Sequence, residues 1–563
     1  MRLISLVAIT VLVCACGGGS APMQSEKNLR TLPTAVMQQK SIAYSPFRTA
    51  NRDNESITKL MIQEDLGLLQ QAGFGLIRLF DSTDEVAKQT LEVIRDSKLP
   101  IKVMLGMYLN PNAEQSNQTE LQRGIKLAAD HGDTVVALSV GNETMVSWSF
   151  VPIETSDMAR YLRQVRAAVN QPVTTNDNWA FFANTQGVKP PTDVLANIDF
   201  VAMHTYPLMD TIHNPQLWNW QQINVPEGQR AQAMMDAALT RVQFEYQAVR
   251  QHLNASGHAA LPIMIGETGW KAEPSSNETL RAHPVNQKMY FERLEDWKNS
   301  GDGPVTVVHF EAFDEPWKQG DDKWGLFDVQ RRARCAAQPL NAQLAPAPGS
   351  CDATQAQYFK PNTNTGPVTA AQFTVYAEVN TSGETRPDVL PLLNAWENGT
   401  TANASEVNES SGDGSKSLQI NPLPASWGWG MTWSVAGVDT DLSNFTSSTA
   451  RLNFRIKTTY PGKLEIGFLT GATTDRTARD VYLTIAAGDY GYQNDGAWHQ
   501  VSVPVSALIA HSAPAFNMPT TAVLQMNRVS NLFVIADRYD KTGKAQNANV
   551  TTPILVDGIR WTR

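Results

Sequence analysis

The sequence predicts a (β/α)₈ TIM barrel followed by an all-β sandwich, which places the chain in the α/β class. Two observations lead to this prediction. From Ser41 onward, short apolar segments alternate with helical patterns eight times, and this order builds a parallel barrel. Further along, the hydrophobic period changes to two and long helical patterns stop, as in a sandwich of antiparallel strands. A length of 563 residues fits two or three domains.

Eight apolar segments in the first part of the chain have the length and the flanking turn residues of buried strands. We predict strands at Ser41–Tyr44, Leu76–Phe80, Ile101–Leu105, Val135–Val140, Pro172–Thr175, Phe200–His204, Pro262–Gly266 and Val305–Phe310. An open doubly wound sheet would need a Gly-rich phosphate loop after an early strand, whereas Ser45-Pro46-Phe47-Arg48 follows the first one. The barrel is therefore preferred, and it is assigned to residues 39–335.

Helical patterns fill the gaps between these strands. One apolar face extends from Ile57 to Leu69 and ends at Gly73, a residue type that commonly follows a helix. Thr119 and Gln122 have the spacing of a capping box, which would begin a helix at that point.

The second half of the chain begins with a linker. Residues 336–370 are rich in Pro, Ala, Asn and Thr, which indicates a connection rather than a packed element. Residues 371–563 are assigned to the sandwich, with strands at Arg451–Lys457, Lys463–Phe468, Val481–Ile485, His499–Val503, Leu532–Ala536 and Ile554–Trp561.

The N-terminus resembles a bacterial lipoprotein signal. An apolar stretch from Leu3 to Val13 is too short to span a bilayer, and a cysteine with a Gly/Ser tether follows it. Residues 1–15 are therefore expected to be removed, Cys16 to carry the lipid, and residues 16–38 to form a tether. Gly17 and Gly18 resemble the residues of lipoproteins sent to the outer membrane, which predicts an exported protein on the surface of a Gram-negative bacterium. The alternative is an ordinary secretory signal cut after a small residue.

The four cysteines divide between this signal and one disulfide. Cys14 leaves with the signal and Cys16 takes the lipid, so Cys335 and Cys351 are left. An even remainder in an exported protein predicts a disulfide, which would hold the exit of the barrel.

The composition excludes some classes of partner. A formal net charge of −9 without a Lys/Arg run argues against nucleic acid and against electrostatic binding to anionic lipid. Membrane contact is therefore expected through the N-terminal lipid alone, and a monomer is expected. Fourteen tryptophans are compatible with sugar binding, because indole rings stack on the apolar faces of sugars, although most single tryptophans are core residues.

Two glutamates stand at the C-terminal ends of strands, where a barrel enzyme carries its chemistry. Glu143 ends the fourth predicted strand and Glu267 the seventh, so their side chains can converge across the barrel mouth. Glycoside hydrolysis needs such a pair, and carboxyl groups about 5–5.5 Å apart would retain the configuration of the sugar. With Glu267 ionised, Glu143 would keep its proton near neutral pH and act as the acid. Either glutamate alone could equally be an ion pair at a strand end.

Three motifs carry a resemblance to a known family. They are Val140-Gly141-Asn142-Glu143, Gly266-Glu267-Thr268-Gly269-Trp270 and Phe310-Glu311-Ala312-Phe313-Asp314-Glu315-Pro316-Trp317-Lys318, and together they resemble glycoside hydrolase family 17, the β-1,3-glucanases. The match extends through the barrel with Tyr44-Ser45-Pro46, Arg78-Leu79-Phe80, His204-Thr205-Tyr206-Pro207 and Trp324-Gly325-Leu326-Phe327. The last motif resembles the bacterial and fungal branch more than the plant one.

The resemblance implies retaining cleavage of β-1,3-linked glucan, with Glu143 as acid/base and Glu267 as nucleophile. It also implies that Asn142 binds the sugar 2-hydroxyl and that Tyr206 orients Glu267. Substrate contacts are expected from residues at the strand ends, namely Tyr44, Arg78, Asn142, Trp179, His204, Tyr206, Trp270, Glu311, Asp314 and Trp317. Glu311 and Asp314 could instead pair with Arg78, Lys318 or Lys323 at the rim. A long link with Trp218 and Trp220 is expected to form a wall of the cleft.

The sandwich resembles a galactose-binding-like carbohydrate-binding module. Trp427, Trp429 and Trp433 share one face of a predicted strand, so they form either a platform for sugar or part of the sandwich core. The last strand resembles the one that helps to hold a structural calcium in several such modules, which makes Asp557 a candidate ligand.

Two other functions stay open. A glucanosyltransferase would use the same covalent intermediate and pass it to a sugar instead of water. A non-catalytic surface lipoprotein that only binds glycan would not need both glutamates. No cluster of residues has the spacing of a metal site, so no catalytic metal or other cofactor is expected.

Overall fold

The computed structural model describes residues 29–214, 216–274, 280–360, 366–377, 393–412, 414–424, 428–434, 438–461, 463–538 and 551–563. These residues form two units, residues 29–213 with Ala231–Gln357 and residues 214–230 with Tyr358–Arg563. The signal sequence, Cys16 and Trp427 lie outside the described residues. Within the described part, no helix combines the length and the apolar character that a bilayer-spanning helix needs.

The first unit is a closed barrel of eight parallel strands that pair in chain order. Its strands are β1 Lys40–Ala43, β2 Phe74–Arg78, β3 Lys102–Met107, β4 Val135–Asn142, β5 Val173–Asn178, β6 Val201–His204, β7 Ile263–Thr268 and β8 Val307–His309. Strand β8 closes the barrel on β1, with Ser41 opposite Val308 and Ile42 opposite His309. Every predicted barrel strand is present, and the predicted fold class is confirmed.

Helices connect these strands. They are α1 Thr34–Met37, α2 Lys59–Gln71, α3 Gln89–Asp96, α4 Glu114–Asp130, α5 Thr155–Ala168, α6 Trp179–Phe182, α7 Thr192–Leu195, α8 Pro207–His213, α9 Arg230–Ala255 and α10 Pro284–Asn299. Helix α2 begins after Thr58, whose hydroxyl oxygen accepts the backbone N–H of Met61 at 3.3 Å. The predicted capping box is wrong, because α4 already begins at Glu114 and the Thr119 hydroxyl donates to the Gln115 carbonyl inside the helix.

The residues just before the first strand belong to the barrel. Leu32, Val36 and Met37 are buried and pack in one apolar cluster with Leu76, Met104 and other side chains from most of the strands. The prediction of a tether up to residue 38 is therefore wrong for these positions, because their few apolar side chains pack into the barrel although most of their neighbours are polar.

The disulfide between Cys335 and Cys351 lies at the exit of the barrel, with the two Cα atoms 5.4 Å apart. The segment that was assigned to a linker folds against the first unit as far as Gln357. The N–H of Ala333, just before this segment, donates to the carbonyl of Ala345 within it, and the N–H of Ala347 donates to the carbonyl of Ala333. Pro and Ala in this segment thus belong to ordered irregular structure.

The second unit consists of antiparallel sheets. Its strands are β9 Gln372–Tyr376, β10 Leu393–Ala395, β11 Ala402–Val407, β12 Ser417–Pro422, β13 Gly428–Ser434, β14 Arg451–Thr458, β15 Leu464–Thr470, β16 Arg479–Ile485, β17 His499–Pro504, β18 Ser512–Pro514, β19 Val529–Arg538 and β20 Ile554–Thr562, with short helices α11 Trp396–Gly399 and α12 Val505–Ile509. One sheet has the order β10-β13-β19-β15-β16-β18, and the other has the order β11-β12-β20-β14-β17 with β9 on β20.

Aromatic side chains from the two sheets meet in one core. The rings of Phe454 and Phe533 lie 5.1 Å apart, and those of Phe468 and Trp561 lie 5.0 Å apart. Trp429 and Trp433 are 3% and 1% exposed and belong to this core. Of the two interpretations of these tryptophans, the platform for sugar is therefore wrong for both, because the strand turns their shared face inward.

Asp557 belongs to the second unit. Asp557 is buried, and its carboxylate accepts the Ser411 hydroxyl at 2.6 Å and the Gly558 N–H at 2.7 Å. Calcium at Asp557 stays a prediction.

Trp218 and Trp220 are buried, and the ring of Trp220 packs edge-on against Phe359 at 5.7 Å. That Trp218 and Trp220 form a wall of the cleft stays a prediction.

Candidate active site

Glu143 and Glu267 lie where the sequence places them, at the ends of β4 and β7. Glu267 is part of β7, whereas Glu143 follows β4 directly and has a φ of 50°. A positive φ is costly for a residue with a side chain and persists only where neighbours hold it. The Glu143 N–H donates to the Asn176 carbonyl at 2.9 Å, and the Ser149 hydroxyl donates to the Glu143 carbonyl. The backbone that carries Glu143 is thus fixed on both sides.

His204 connects the two carboxyl groups. Its Nδ1 lies 2.9 Å from Oε1 of Glu143 and 3.6 Å from Oε2 of Glu267. One oxygen of each glutamate and a ring nitrogen of His204 all lie within 4.8 Å of one another. His204 is fully buried and its Nε2 has no hydrogen-bond partner, so the hydrogen bonding of the ring is directed through Nδ1 toward the two carboxyl groups. The spacing of the carboxyl groups fits the retaining geometry and is too short for an intervening water.

The surroundings of Glu267 stabilise its ionised form. Arg78 donates to Oε1, and the Tyr206 hydroxyl donates to Oε2 at 2.8 Å. Burial opposes ionisation, but the charges of His204 and Arg78 and these two hydrogen bonds hold the pKa of Glu267 below its ordinary value. Glu267 is therefore a carboxylate at rest, as a nucleophile must be.

Arg78 is itself held in place by amides. A second guanidinium nitrogen donates to Oδ1 of Asn142, the residue before Glu143. Asn176, with its amide oxygen turned toward Arg78, accepts from Nε at 2.6 Å and from the Ser139 hydroxyl at 2.9 Å. Arg78 is 1% exposed and touches the carboxylate of Glu267, so its place is behind the reacting groups rather than against a sugar.

Asp177 holds the loop behind Glu143. Its Oδ2 accepts the backbone N–H groups of Thr144 and Met145 at 2.7 and 2.8 Å, and its Oδ1 accepts the N–H of Asn178 at 2.9 Å. Burial, followed by the negative charge of Glu143, raises the pKa of Asp177 to about 7. Sequence reasoning missed this residue, although its place in Asn176-Asp177-Asn178 at the end of β5 was a usable signal.

A cleft of about 660 Å³ opens at the barrel mouth and is lined by both glutamates. Of the predicted contact residues, Tyr44, Asn142 and Trp317 line it. Its other aromatic walls come from Phe47, Phe80, Tyr108 and Phe310. Aromatic walls with carboxylates at one point suit a sugar chain, since each sugar ring has an apolar face and a polar edge.

Glu311 forms a closed group with two neighbours. The Lys318 ammonium lies 2.7 Å from Glu311 and 2.5 Å from Glu315. Burial raises the pKa of Glu311 well above its ordinary value, while Lys318 and a hydrogen bond from Glu311 lower the pKa of the buried Glu315 to about 2. The prediction that Glu311 contacts substrate is therefore wrong, because Glu311 lies behind Lys318 and Glu315, which line the cleft. The alternative interpretation, in which Glu311 pairs with Lys318, describes the observed contact.

Three more predicted contacts lie behind the wall, and the prediction is wrong for them. Trp270 is 1% exposed, packs on the ring of Tyr290 at 5.3 Å and donates to the Arg281 carbonyl. Asp314 is buried against the guanidinium of Arg334, with contacts of 2.6 and 2.8 Å. Trp179 is buried in α6 and lines neither pocket beside Glu143. His204 and Tyr206, two other predicted substrate contacts, form hydrogen bonds with Glu143 and Glu267 respectively.

Glu143, His204 and Glu267 are also a set of donors that a metal ion could accept. The arrangement does not require one, because His204 and Tyr206 donate to the two carboxyl groups and Arg78 balances their charge. The absence of a catalytic metal stays a prediction.

Comparison with known proteins assigns the barrel to a family. Residues 41–327 match the model of the BtgE/BtgC glycoside hydrolase domain. A glucan 1,3-beta-glucosidase of Arthroderma benhamiae is 22% identical over 321 residues, which cover 54% of this chain and 93% of that protein. A probable glucan endo-1,3-beta-glucosidase of Aspergillus clavatus is 23% identical over 48% of this chain and 38% of its own length.

A solved structure shares the barrel fold. An endo-laminarinase from Formosa Hel1_33_131 matches with a TM-score of 0.51 and 20% identity, over 58% of this chain and 97% of that one. Since the family model spans the barrel from β1 to Phe327, this chain belongs to the BtgE/BtgC glycoside hydrolase domain family, and the resemblance to glycoside hydrolase family 17 is confirmed.

Proposed function

We propose that the barrel cleaves β-1,3-linked glucan with retention, using Glu267 as nucleophile and Glu143 as acid/base. The observation that carries the proposal is the spacing of the two carboxyl groups, with oxygens within 4.8 Å of each other across His204. The names of the relatives support β-1,3-glucan as the substrate class. The chain is a glycoside hydrolase, and the roles of its residues follow from their surroundings.

In the first step, an oxygen of Glu267 attacks the anomeric carbon and the bond to the leaving oxygen breaks. Glu143 gives its proton to that oxygen, so the shortened glucan leaves as an alcohol and a glycosyl ester of Glu267 remains. In the second step, Glu143 removes a proton from water, the water oxygen attacks the same carbon, and the Glu267 carboxylate is released. Two inversions at one carbon retain its configuration.

Arg78 and Tyr206 decide how well Glu267 leaves and attacks. Both donate to its carboxylate in the resting state, when the charge is greatest. Asn142 lines the cleft beside Glu143 and is held by Arg78, so its amide N–H₂ is free to face the sugar. This orientation supports the assignment of Asn142 to the sugar 2-hydroxyl, a contact that strengthens in the transition state.

The decisive experiment separates the two glutamates. Protein without its first 20 residues should release reducing sugar from laminarin, and Glu267→Ala should not. With an aryl β-laminaribioside and azide, Glu267→Ala should form the α-glycosyl azide, and Glu143→Ala the β-glycosyl azide. Glu154→Ala, a surface glutamate paired with Lys189, is the control and should behave as the wild type. A wild type that is inert on all β-glucans would refute the proposal.

The glucanosyltransferase alternative differs only in what attacks the glycosyl ester. Sizing the products of laminari-oligosaccharides decides between the two, because chains longer than the starting one show transfer to sugar. Cleavage of internal bonds of laminarin early in the reaction would show endo action.

We also propose that Cys16 carries a lipid and holds the enzyme at the outer membrane, where the second unit binds β-glucan. The Gly/Ser tether supports the first part, and the two-sheet β-sandwich architecture supports the second. Incorporation of labelled palmitate that is lost in Cys16→Ser tests the anchor. Retardation of Glu267→Ala in laminarin gels tests glucan binding without cleavage.

A further inference from the structure

Two large aromatic side chains stand exposed beside Glu143. They are Trp148, 50% exposed, and Phe150, 102% exposed, and both lie on the loop between β4 and α5. Single exposed aromatics are ordinary, but two on one short loop beside a reacting group form a patch that water solvates poorly. They line a pocket of about 190 Å³ together with Tyr108, Asn178 and Glu143.

The loop that presents them is anchored. The Ser149 hydroxyl donates to the Glu143 carbonyl, and the N–H of Ile153 donates to the Thr144 carbonyl at 2.9 Å. Val146 is 2% exposed and is buried under the same loop. A fixed backbone therefore holds Trp148 and Phe150 in their exposed positions. The loop loses little conformational freedom when a ligand packs on them.

The two pockets beside Glu143 differ in one residue that matters for the chemistry. The larger cleft is lined by both glutamates, whereas the smaller pocket is lined by Glu143 and Asn142 without Glu267. The nucleophile faces the anomeric carbon, and the acid/base faces the leaving oxygen. A pocket that reaches only the acid/base therefore lies on the side of the leaving group.

We propose that this smaller pocket is a subsite for the glucosyl unit that leaves and, in reverse, for an accepting sugar, with Trp148 and Phe150 as its stacking platform. The inference rests on the proposed function and names what that site binds on its acid side. The polar groups of Asn142, Asn178 and Ser149 line the same pocket and can meet the hydroxyl edge of the sugar.

An occupied subsite changes the fate of the glycosyl ester. A hydroxyl oxygen of the bound sugar attacks the anomeric carbon, its proton passes to the Glu143 carboxylate, and the Glu267 carboxylate is released. A new glycosidic bond forms and the ester bond breaks, so the step is balanced without a further reactant. Sugar held on the platform competes with water, and the enzyme transfers as well as hydrolyses.

The test compares substrates that need the pocket with one that does not. For Trp148→Ala/Phe150→Ala, we expect the ratio of kcat/KM on laminaripentaose to kcat/KM on a dinitrophenyl β-laminaribioside to fall about tenfold, which is about 1.4 kcal/mol of lost stacking. The yield of transfer products at a fixed laminaribiose concentration should fall with it. Trp148→Tyr/Phe150→Tyr should restore most of the ratio, and Phe244→Ala, an exposed aromatic on α9, should not change it.

An unchanged ratio in the double alanine variant would overturn the subsite. An equal loss on both substrates would also overturn it, because damage to the Glu143 loop would affect every leaving group. Failure of the proposed function is a separate result, since then the wild type would cleave neither substrate.

Discussion

Removing one hydroxyl group, in Tyr206→Phe, should shift the acid limb of the pH–rate profile. The Tyr206 hydroxyl donates to Oε2 of Glu267 at 2.8 Å. Its ring packs edge-on against Phe310 and Trp324 at 6.0 and 5.5 Å, so a phenylalanine should keep the same position. The variant therefore deletes one donor and leaves Arg78 on the other oxygen.

The size of the shift follows from the strength of that bond. A hydrogen bond to a charged group is worth about 1.5–3 kcal/mol, and one pKa unit corresponds to about 1.4 kcal/mol. The pKa of Glu267 lies below its ordinary value of 4.5 in the wild type. Losing the bond raises this pKa, and the acid limb should move up by about 1–2 pH units. In the proposed mechanism only ionised Glu267 attacks, so activity is lost as the pH falls through this pKa. The loss should therefore begin at a higher pH in the variant.

The assay is kcat/KM for an aryl β-laminaribioside across the acid range, because this quantity reports groups of the free enzyme. Tyr290→Phe is the matched control, since its hydroxyl lies 2.7 Å from Thr268 Oγ1, one residue beyond Glu267. That variant should keep the acid limb of the wild type. An acid limb that stays in place in Tyr206→Phe, or moves equally in both variants, would refute the argument.

Substitutions at Asp177 and Trp433 and the removal of divalent metal test three other parts of the structure. Asp177→Asn should lower kcat on laminarin about tenfold to a hundredfold with little change in KM, because an amide leaves one of three backbone N–H groups unpaired and lets the loop of Glu143 move. Trp433→Ala should lower the free energy of unfolding in urea by about 3–5 kcal/mol, because the side chain is 1% exposed in the sandwich core. EDTA should leave the initial rate on laminarin unchanged, because carboxyl groups perform each proposed step.

Each of these has an outcome that would contradict it. An Asp177→Asn variant with a raised KM and unchanged kcat would place Asp177 at the substrate rather than behind Glu143. A Trp433→Ala variant of normal stability that no longer binds laminarin would restore the sugar platform. A rate that EDTA abolishes and a divalent cation restores would put a metal among Glu143, His204 and Glu267.

The barrel could be predicted because its strands leave a local signal. Each is a short apolar segment between turn residues, and in β6 every position from Val201 to His204 is buried. Parallel strands buried on both faces must be apolar throughout, and this demand is visible without the partner strands. Some strands of the second unit were not predicted, such as Ala402–Val407. This strand is short and half-polar, so its strand conformation depends on pairing with neighbouring strands rather than on an apolar pattern of its own.

The direction of a side chain was harder to predict than its place on a strand. Glu267 and Trp270 belong to one motif, yet one reaches the reacting centre and the other packs on Tyr290 behind it. Position at a strand end could not separate them, because the backbone turns between the two residues. Trp148 and Phe150 were missed for a related reason, since nothing in the sequence of a loop shows which of its aromatic side chains face the solvent.

The two glutamates have the same side chain, and their surroundings give them different tasks. Glu267 is 4% exposed and accepts from a cation and a phenol, which stabilise a charge at rest. The side chain of Glu143 is 44% exposed and lines both pockets. A group that must exchange protons with a departing sugar and with an arriving molecule needs access to both, whereas a nucleophile needs only the anomeric carbon. The exposure of Glu143 and the charge pairing of Glu267 therefore support the proposed roles independently of the sequence motifs.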